Sequence, residues 1–310
     1  MRTSFTAMTV VAIALSLCGA ARADVTSLPP KVATEIAAMG PKLNPDVIGK
    51  SFALMRPLVP APDASVKVAK DVHYGDDALQ TIDVYQPARG RDLPIAIYVH
   101  GGGFVRGDKA DYNNVVAYFA AHGIVGVNAN YRLAPKVTWP AESEDVGAAV
   151  AFVKKHAAEY GGDPNRVILI GHSAGAHLVG AYVLNPSLHP AAGPGIAGAV
   201  VISIPAYRAA SISEADQVYL GKDKSEFAKR VPASFVQASK TPLFIIMTQY
   251  DPPGLAPESY AMAEAICVRD GQCPRFLYVN GHNHITEVAS IGSKDDQLGR
   301  ALVDFIETTR

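Results

Sequence analysis

VILIGHSAGAHLVGAYVL, residues 167–184, decides how this 310-residue chain folds. The apolar run Val167–Ile170 meets Gly171-His172-Ser173-Ala174-Gly175, and a second apolar run follows from His177 to Leu184. The first run suits a strand covered on both faces, and the second suits a helix. G-x-S-x-G between a strand and a helix is a turn that lifts a serine hydroxyl clear of a sheet. A side chain two residues either side of the serine would clash there, so both places need glycine. The helix N-terminus behind the serine favours developing negative charge. A glycine-rich turn with an idle serine is the bland alternative.

Outward from this turn the same texture recurs. Further strands are expected at Gln80–Tyr85, Ile95–Val99, Ile124–Asn128, Ala199–Ile204, Leu243–Met247 and Arg275–Val279. Val146, Ala149, Val150, Val153 and Ala157 fall on one helix face, with Glu142, Glu144 and Asp145 at its start and Lys154, Lys155 and His156 at its end. Gly161 suits the stop of that helix. Two more helices are expected over Pro257–Val268 and from Asp295 to the C-terminus. Strands alternating with helices predict an α/β fold, with a mainly parallel sheet and helices on both faces. Residues 24–65 hold two short helical patterns and form an N-terminal arm or cap, ahead of a catalytic domain over 66–310.

Composition narrows the function. The chain is 49% hydrophobic and 18% charged, with net charge -1, so it carries no basic field to hold nucleic acid. Residues 1–23 combine Arg2, an apolar run from Met8 to Leu17 and Ala21-Arg22-Ala23, the pattern of a secretory signal peptide cut before Asp24. That apolar run is too short to span a membrane, so no membrane span is expected after cleavage, and the chain is expected to be secreted or periplasmic. An uncleaved anchor and a lipoprotein on Cys18 are the competing readings. Cleavage leaves Cys267 and Cys273, either as a disulfide across a polar turn or as two buried thiols.

In parallel sheets chemistry sits at the carboxyl ends of the strands. Behind Ile95–Val99 stands His100-Gly101-Gly102-Gly103-Phe104, whose glycines free backbone N–H groups for a substrate oxyanion. A phosphate loop is disfavoured because no Lys-Ser/Thr follows and G-x-G-x-x-G is absent. His100 is expected to brace this loop rather than carry protons. Behind Leu243–Met247 stands Asp251, placed either to orient a histidine or to start an Asp-Pro turn. Behind Arg275–Val279 stand His282 and His284, of which His284 is preferred as the base. A metal site on His282, His284 and Glu287 lacks a supporting pattern. His172 and His177 suit packing or support roles. Trp139 either lines the site or covers the core.

HGGGF at 100–104, Asn130-Tyr131-Arg132-Leu133-Ala134-Pro135, Pro140-Ala141-Glu142, GHSAG at 171–175, Asp251 and His284, in that order, resemble the α/β-hydrolase fold. Within it the chain resembles carboxylesterases and lipases of the hormone-sensitive-lipase-like and feruloyl-esterase-like (BD-FAE) families, from about Val66 to the C-terminus. His172 departs from the acidic residue usual before the nucleophile in the first family. GHSAGAHL and Asp83-Val84-Tyr85-Gln86-Pro87 are instead similar to feruloyl-esterase-like hydrolases and kynurenine formamidases.

The resemblance implies Ser173 as nucleophile, His284 as base and then acid, and Asp251 as the group that holds its ring. It implies Gly102, Gly103 and Ala174 as oxyanion donors, with no metal and no cofactor. The expected activity is hydrolysis of small carboxylic esters by a serine carboxylesterase. An arylformamidase-like amidase and a non-catalytic binding protein on a hydrolase scaffold are the alternatives, and the latter predicts a missing triad member. The arm, and residues 206–241 with it, are expected to cap the site.

Overall fold

The computed structural model describes residues 26–309, so the expected signal segment lies outside the described residues. The strands are β1 (Lys67–His73), β2 (Thr81–Gln86), β3 (Leu93–Val99), β4 (Val125–Ala129), β5 (Gly162–His172), β6 (Gly198–Ile202), β7 (Leu243–Tyr250) and β8 (Arg275–Asn283). They form one sheet in the order β1-β2-β4-β3-β5-β6-β7-β8. From β4 to β8 the neighbours are parallel, while β1–β2 and β2–β4 are antiparallel.

The helices are α1 (Pro30–Met39), α2 (Pro45–Met55), α3 (Asn113–Ala121), α4 (Ala141–His156), α5 (Ala174–Leu184), α6 (Gln217–Leu220), α7 (Ala256–Asp270), α8 (Thr286–Ala289) and α9 (Gln297–Thr308). Alternate strand residues serve opposite faces, as the two-residue period of a strand requires. Ile95, Ile97 and Val99 of β3 and Val167 and Leu169 of β5 pack with α4, α5 and α7. Ala96 and Tyr98 of β3 and Ile168 and Ile170 of β5 pack with α3 and α9. Both faces are covered, which is why these strands read as unbroken apolar runs.

Several details differ from expectation, among them β5, which begins at Gly162 rather than Val167, and β7, which runs to Tyr250 rather than Met247. β1 was not expected, because KVAKDVH has no apolar run; it is an edge strand, where exposure and charge guard the open side. α3 was missed too, because Val115–Ala120 is buried throughout and leaves no polar face to reveal a period. β6 stops at Ile202 rather than Ile204, since Ser203 turns the chain at φ 52°. β8 runs on through His282 to Asn283, beyond the expected end at Val279.

The arm holds α1 and α2, and Leu28, Ile36 and Met55 form a small core with Ala289 of α8. Gly161, left-handed at φ 76°, does stop the turn after α4. Cys267 of α7 is disulfide-bonded to Cys273, and the chain between them turns at Gly271, also left-handed at φ 66°. Among the described residues no helix is long and apolar enough to cross a membrane.

Candidate active site

Ser173 sits between the end of β5 and the start of α5, at φ 55° and ψ -125°. That conformation costs a non-glycine residue roughly 1–3 kcal/mol, so its surroundings must enforce it. The Ser173 N–H donates to the Ile202 carbonyl at 2.9 Å. The Ser173 carbonyl accepts from Ala176 and His177 in the first turn of α5. A Cβ on Gly171 would collide with the Gly175 carbonyl, and one on Gly175 with the Val99 carbonyl of β3. The clash expected at both glycines is therefore real, and the second one is with the neighbouring strand.

The glycine loop leaves β3 directly. Gly102 and Gly103 have φ of 134° and 61°, and a Cβ on Gly102 would run into the Arg106 carbonyl. Among the described residues, no backbone carbonyl takes up the N–H of Gly102, Gly103 or Ala174. His100 braces the loop from below. Its Nδ1 lies 2.7 Å from the Gly101 carbonyl and its Nε2 3.1 Å from Asn130 Oδ1. Tyr131 stacks on its ring and donates to its carbonyl at 2.8 Å. The loop's far end is pinned by the buried Lys109, whose Nζ meets Asp71 and Asp83 at 2.7 Å each.

Asp251 and His284 meet. His284 Nδ1 lies 2.8 Å from Asp251 Oδ1, and its Nε2 is buried without a partner. Asp251 Oδ2 accepts from the Thr248 N–H at 3.1 Å and from the Ser203 hydroxyl at 2.6 Å. The competing His282 points elsewhere, with Nδ1 3.2 Å from Thr286 Oγ1 and Nε2 3.6 Å from Asp295. Burial, offset by hydrogen bonds from His282, Thr26 and Gln297, leaves the Asp295 carboxyl at about 2.

His172 and His177 are both buried. His172 Nε2 donates to the His284 carbonyl at 2.9 Å, and burial together with neighbouring His284 pushes its pKa well below the usual histidine range. His177 stands edge-on to Phe104 and Trp139, and burial lowers its pKa to about 4. Trp139 packs on Tyr219 and the core.

Ser173, His284, Ala174 and the three loop glycines line one cavity of about 480 Å3. Its outer wall comes from Leu43, Ile48 and Phe52 of the arm and from Pro205, Ala206 and Asp216 after β6. Phe52 also lines a second cavity of about 470 Å3, between the arm and α3.

Two polar residues stand beside Asp251 and His284 in places the sequence does not single out: Ser203 falls inside an expected strand, and Glu287 enters only as a metal-ligand candidate. Ser203 ends the apolar run of β6, where the rule of looking behind each strand would have found it. Glu287 lies one helical turn beyond His284, with Oε1 2.7 Å from Ser203 Oγ. His172, His284 and Glu287 bring ligand-type atoms within 4.8 Å of one another. Hydrogen bonds already occupy His172 Nε2 and His284 Nδ1.

A family model described as BD-FAE matches residues 82–186, and one described as alpha/beta hydrolase domain matches residues 142–306. The chain is 26% identical to Esterase LipQ of Mycobacterium tuberculosis over 284 residues, covering 83% of this chain and 66% of that protein. It is 42% identical to Carboxylesterase NlhH of the same organism over 109 residues, 34% of each. The chain thus spans less than two thirds of the length of these curated relatives. The crystal structure of Esterase B from Lactobacillus rhamnosis superposes with a TM-score of 0.69 at 18% identity, covering 90% of this chain and 94% of that one.

Proposed function

Because the chain belongs to the alpha/beta hydrolase family, we propose that it is a serine hydrolase that cleaves small carboxylic esters through an acyl-enzyme on Ser173. One observation carries this. His284 is held by Asp251 through Nδ1, its Nε2 is left without a partner, and it shares a cavity wall with Ser173.

Nε2 of His284 takes the Ser173 proton as Oγ attacks the ester carbonyl carbon. The carbonyl oxygen becomes an oxyanion and accepts from the N–H groups of Gly102, Gly103 and Ala174, each worth about 3 kcal/mol at the transition state. The imidazolium then returns the proton to the leaving alcohol. Water, deprotonated by His284, attacks the acyl-enzyme and releases the acid. Asp251 stabilises the imidazolium and fixes its tautomer. All three triad members are present, against the binding-protein alternative. The arm and the segment after β6 supply part of the cavity wall, which supports small soluble esters over emulsified long-chain lipid.

The N-terminal pattern of residues 1–23 and the Cys267–Cys273 disulfide, which suits an oxidising compartment, support the reading that this activity lies outside the cytoplasm, in the periplasm or beyond. The test is hydrolysis of p-nitrophenyl butyrate by the chain from Asp24, beside Ser173→Ala. Turnover by the parent alone is expected. A folded but silent parent that turns over N-formylkynurenine would replace the ester reading with the formamidase one.

A further inference from the structure

Behind the triad lies a buried polar cluster that the acyl-transfer scheme does not use. Ser203 Oγ stands 2.6 Å from Asp251 Oδ2 and 2.7 Å from Glu287 Oε1. A hydroxyl carries one proton, so it donates to one carboxyl only. The other contact holds together only if that carboxyl brings its own proton and the hydroxyl oxygen accepts it.

The surroundings decide which carboxyl is protonated. Asp251 already accepts from the Thr248 N–H and from His284 Nδ1, donors that favour a carboxylate. Glu287 is fully buried, the one hydrogen bond of its carboxyl group among the described residues is to Ser203, and its Oε2 has no partner. Four elements bring titratable groups toward it. Tyr98 comes from β3, His172 from β5 at 3.4 Å, Asp251 from the end of β7 and His284 from its own loop at 3.9 Å. Among the described residues its only cationic-type contacts are those two histidines. His172 spends its Nε2–H on the His284 carbonyl, and burial keeps its ring neutral. An ionised Glu287 would be a second buried negative charge beside Asp251 with no cation of its own.

We propose that Glu287 is a positioning residue held as the neutral acid. It donates its proton to Ser203, Ser203 donates to Asp251 Oδ2, and Asp251 is left as the single negative charge that orients His284. Burial, reinforced by the Asp251 charge, holds the Glu287 carboxyl well above the usual carboxylate range, in agreement with the proton count. The chain of donors fixes the second oxygen of Asp251, so the first can face only His284. The neutral Glu287 also keeps the imidazolium from being drawn away from Asp251.

The kinetic part of the test rests on the ester-hydrolase reading, and the spectroscopic part does not. The infrared difference spectrum of wild type minus Glu287→Gln at neutral pH is expected to show the C=O stretch of an un-ionised carboxylic acid. Ionised carboxylate bands in its place overturn the proposal, whether or not the protein turns over esters.

In p-nitrophenyl butyrate assays, Glu287→Leu is expected to lower kcat about tenfold or more with KM little changed. Glu287→Gln, whose amide N–H replaces the acid proton, is expected to restore kcat to within about threefold of wild type. Its acid limb of kcat/KM against pH stays in place. Loss of a negative charge beside His284 would instead move that limb to lower pH by about half a unit or more, and such a shift overturns the neutral acid. Where Glu287→Leu does not fold, the spectrum and the Gln variant still decide. Ester turnover absent from a wild type that shows the acid band overturns the proposed reaction and leaves the proton assignment standing.

Discussion

The cavity around Ser173 is built from two unlike halves. The inner half is main chain at the carboxyl ends of β3 and β5, where Gly102, Gly171 and Gly175 stand so close to neighbouring carbonyls that a single methyl has no room. The outer half is side chains: Leu43, Ile48 and Phe52 from the arm, and a loosely wound segment after β6. Position in the inner half is set by steric exclusion and buried hydrogen bonds. In the outer half it is set by apolar contact, which tolerates changes of shape. The proposed chemistry therefore sits where the chain cannot vary, and the proposed size selection where it can.

The largest expected effect is in the inner half. Ser173→Ala should lower kcat on short p-nitrophenyl esters by about 10,000-fold or more while thermal melting stays close to wild type. Residual turnover near the wild-type rate would place the nucleophile elsewhere. Next comes Gly175→Ala. Its Cβ meets the backbone of β3, which cannot step aside, so a loss of about 3 kcal/mol or more is expected in urea unfolding. A variant as stable as the parent would show that the inner half has slack after all.

The outer half should answer differently. Phe52 stands between the catalytic cavity and the second one beside α3. Phe52→Ala should join them and move the preferred acyl chain to greater length, with butyrate turnover kept within about fivefold. An unchanged optimum across an acyl-length series would remove Phe52 as the partition.

The smallest effect sharpens the inner half's support. Glu142 heads α4 and accepts the Ala134 N–H at 3.0 Å. Burial raises its pKa from the usual 4.5 to about 9. The folded protein thus holds this proton across a window where the unfolded chain releases it. The resulting stabilisation is full below 4.5 and is lost as pH rises through 9. Melting temperature against pH should therefore fall less steeply over that window for Glu142→Gln than for wild type, by a few degrees. Parallel curves would mean that Glu142 is ionised in the fold.

The two halves also differ in how far the sequence reveals them. Ser173 and the three loop glycines were legible because their constraints are local: a tight turn demands glycine at fixed spacing, behind an apolar strand. Asp251 and His284 followed from strand-end position and order along the chain. The sequence already prefers His284 over His282, and the structure adds their partners, Asp251 for His284 and Asp295 for His282, which lies within β8. Ser203 was read as part of a strand that ends one residue earlier. Glu287 stands in the sequence only as a metal-ligand candidate, because Ser203 and Asp251, on which its proposed role depends, lie just behind β6 and β7 and far off in the chain. The arm read as two helices, but nothing periodic in α2 marks Phe52 as a cavity wall, since the surface it faces lies far away in the chain.

One contact acquires another meaning once the order of synthesis is considered. Ser51 of α2 bonds Asn283, the neighbour of His284, at 3.0 Å across 232 residues. A growing chain makes the arm long before its docking partner. Until then the arm can rest on Tyr112 through Phe52 but lacks its contacts with β8 and α8, and Ser173, although already at its turn, has no His284 beside it. Such long-range closure is slow to nucleate. The same late segment seats both His284 and the arm, so on the proposed mechanism a half-made copy carries Ser173 without its base.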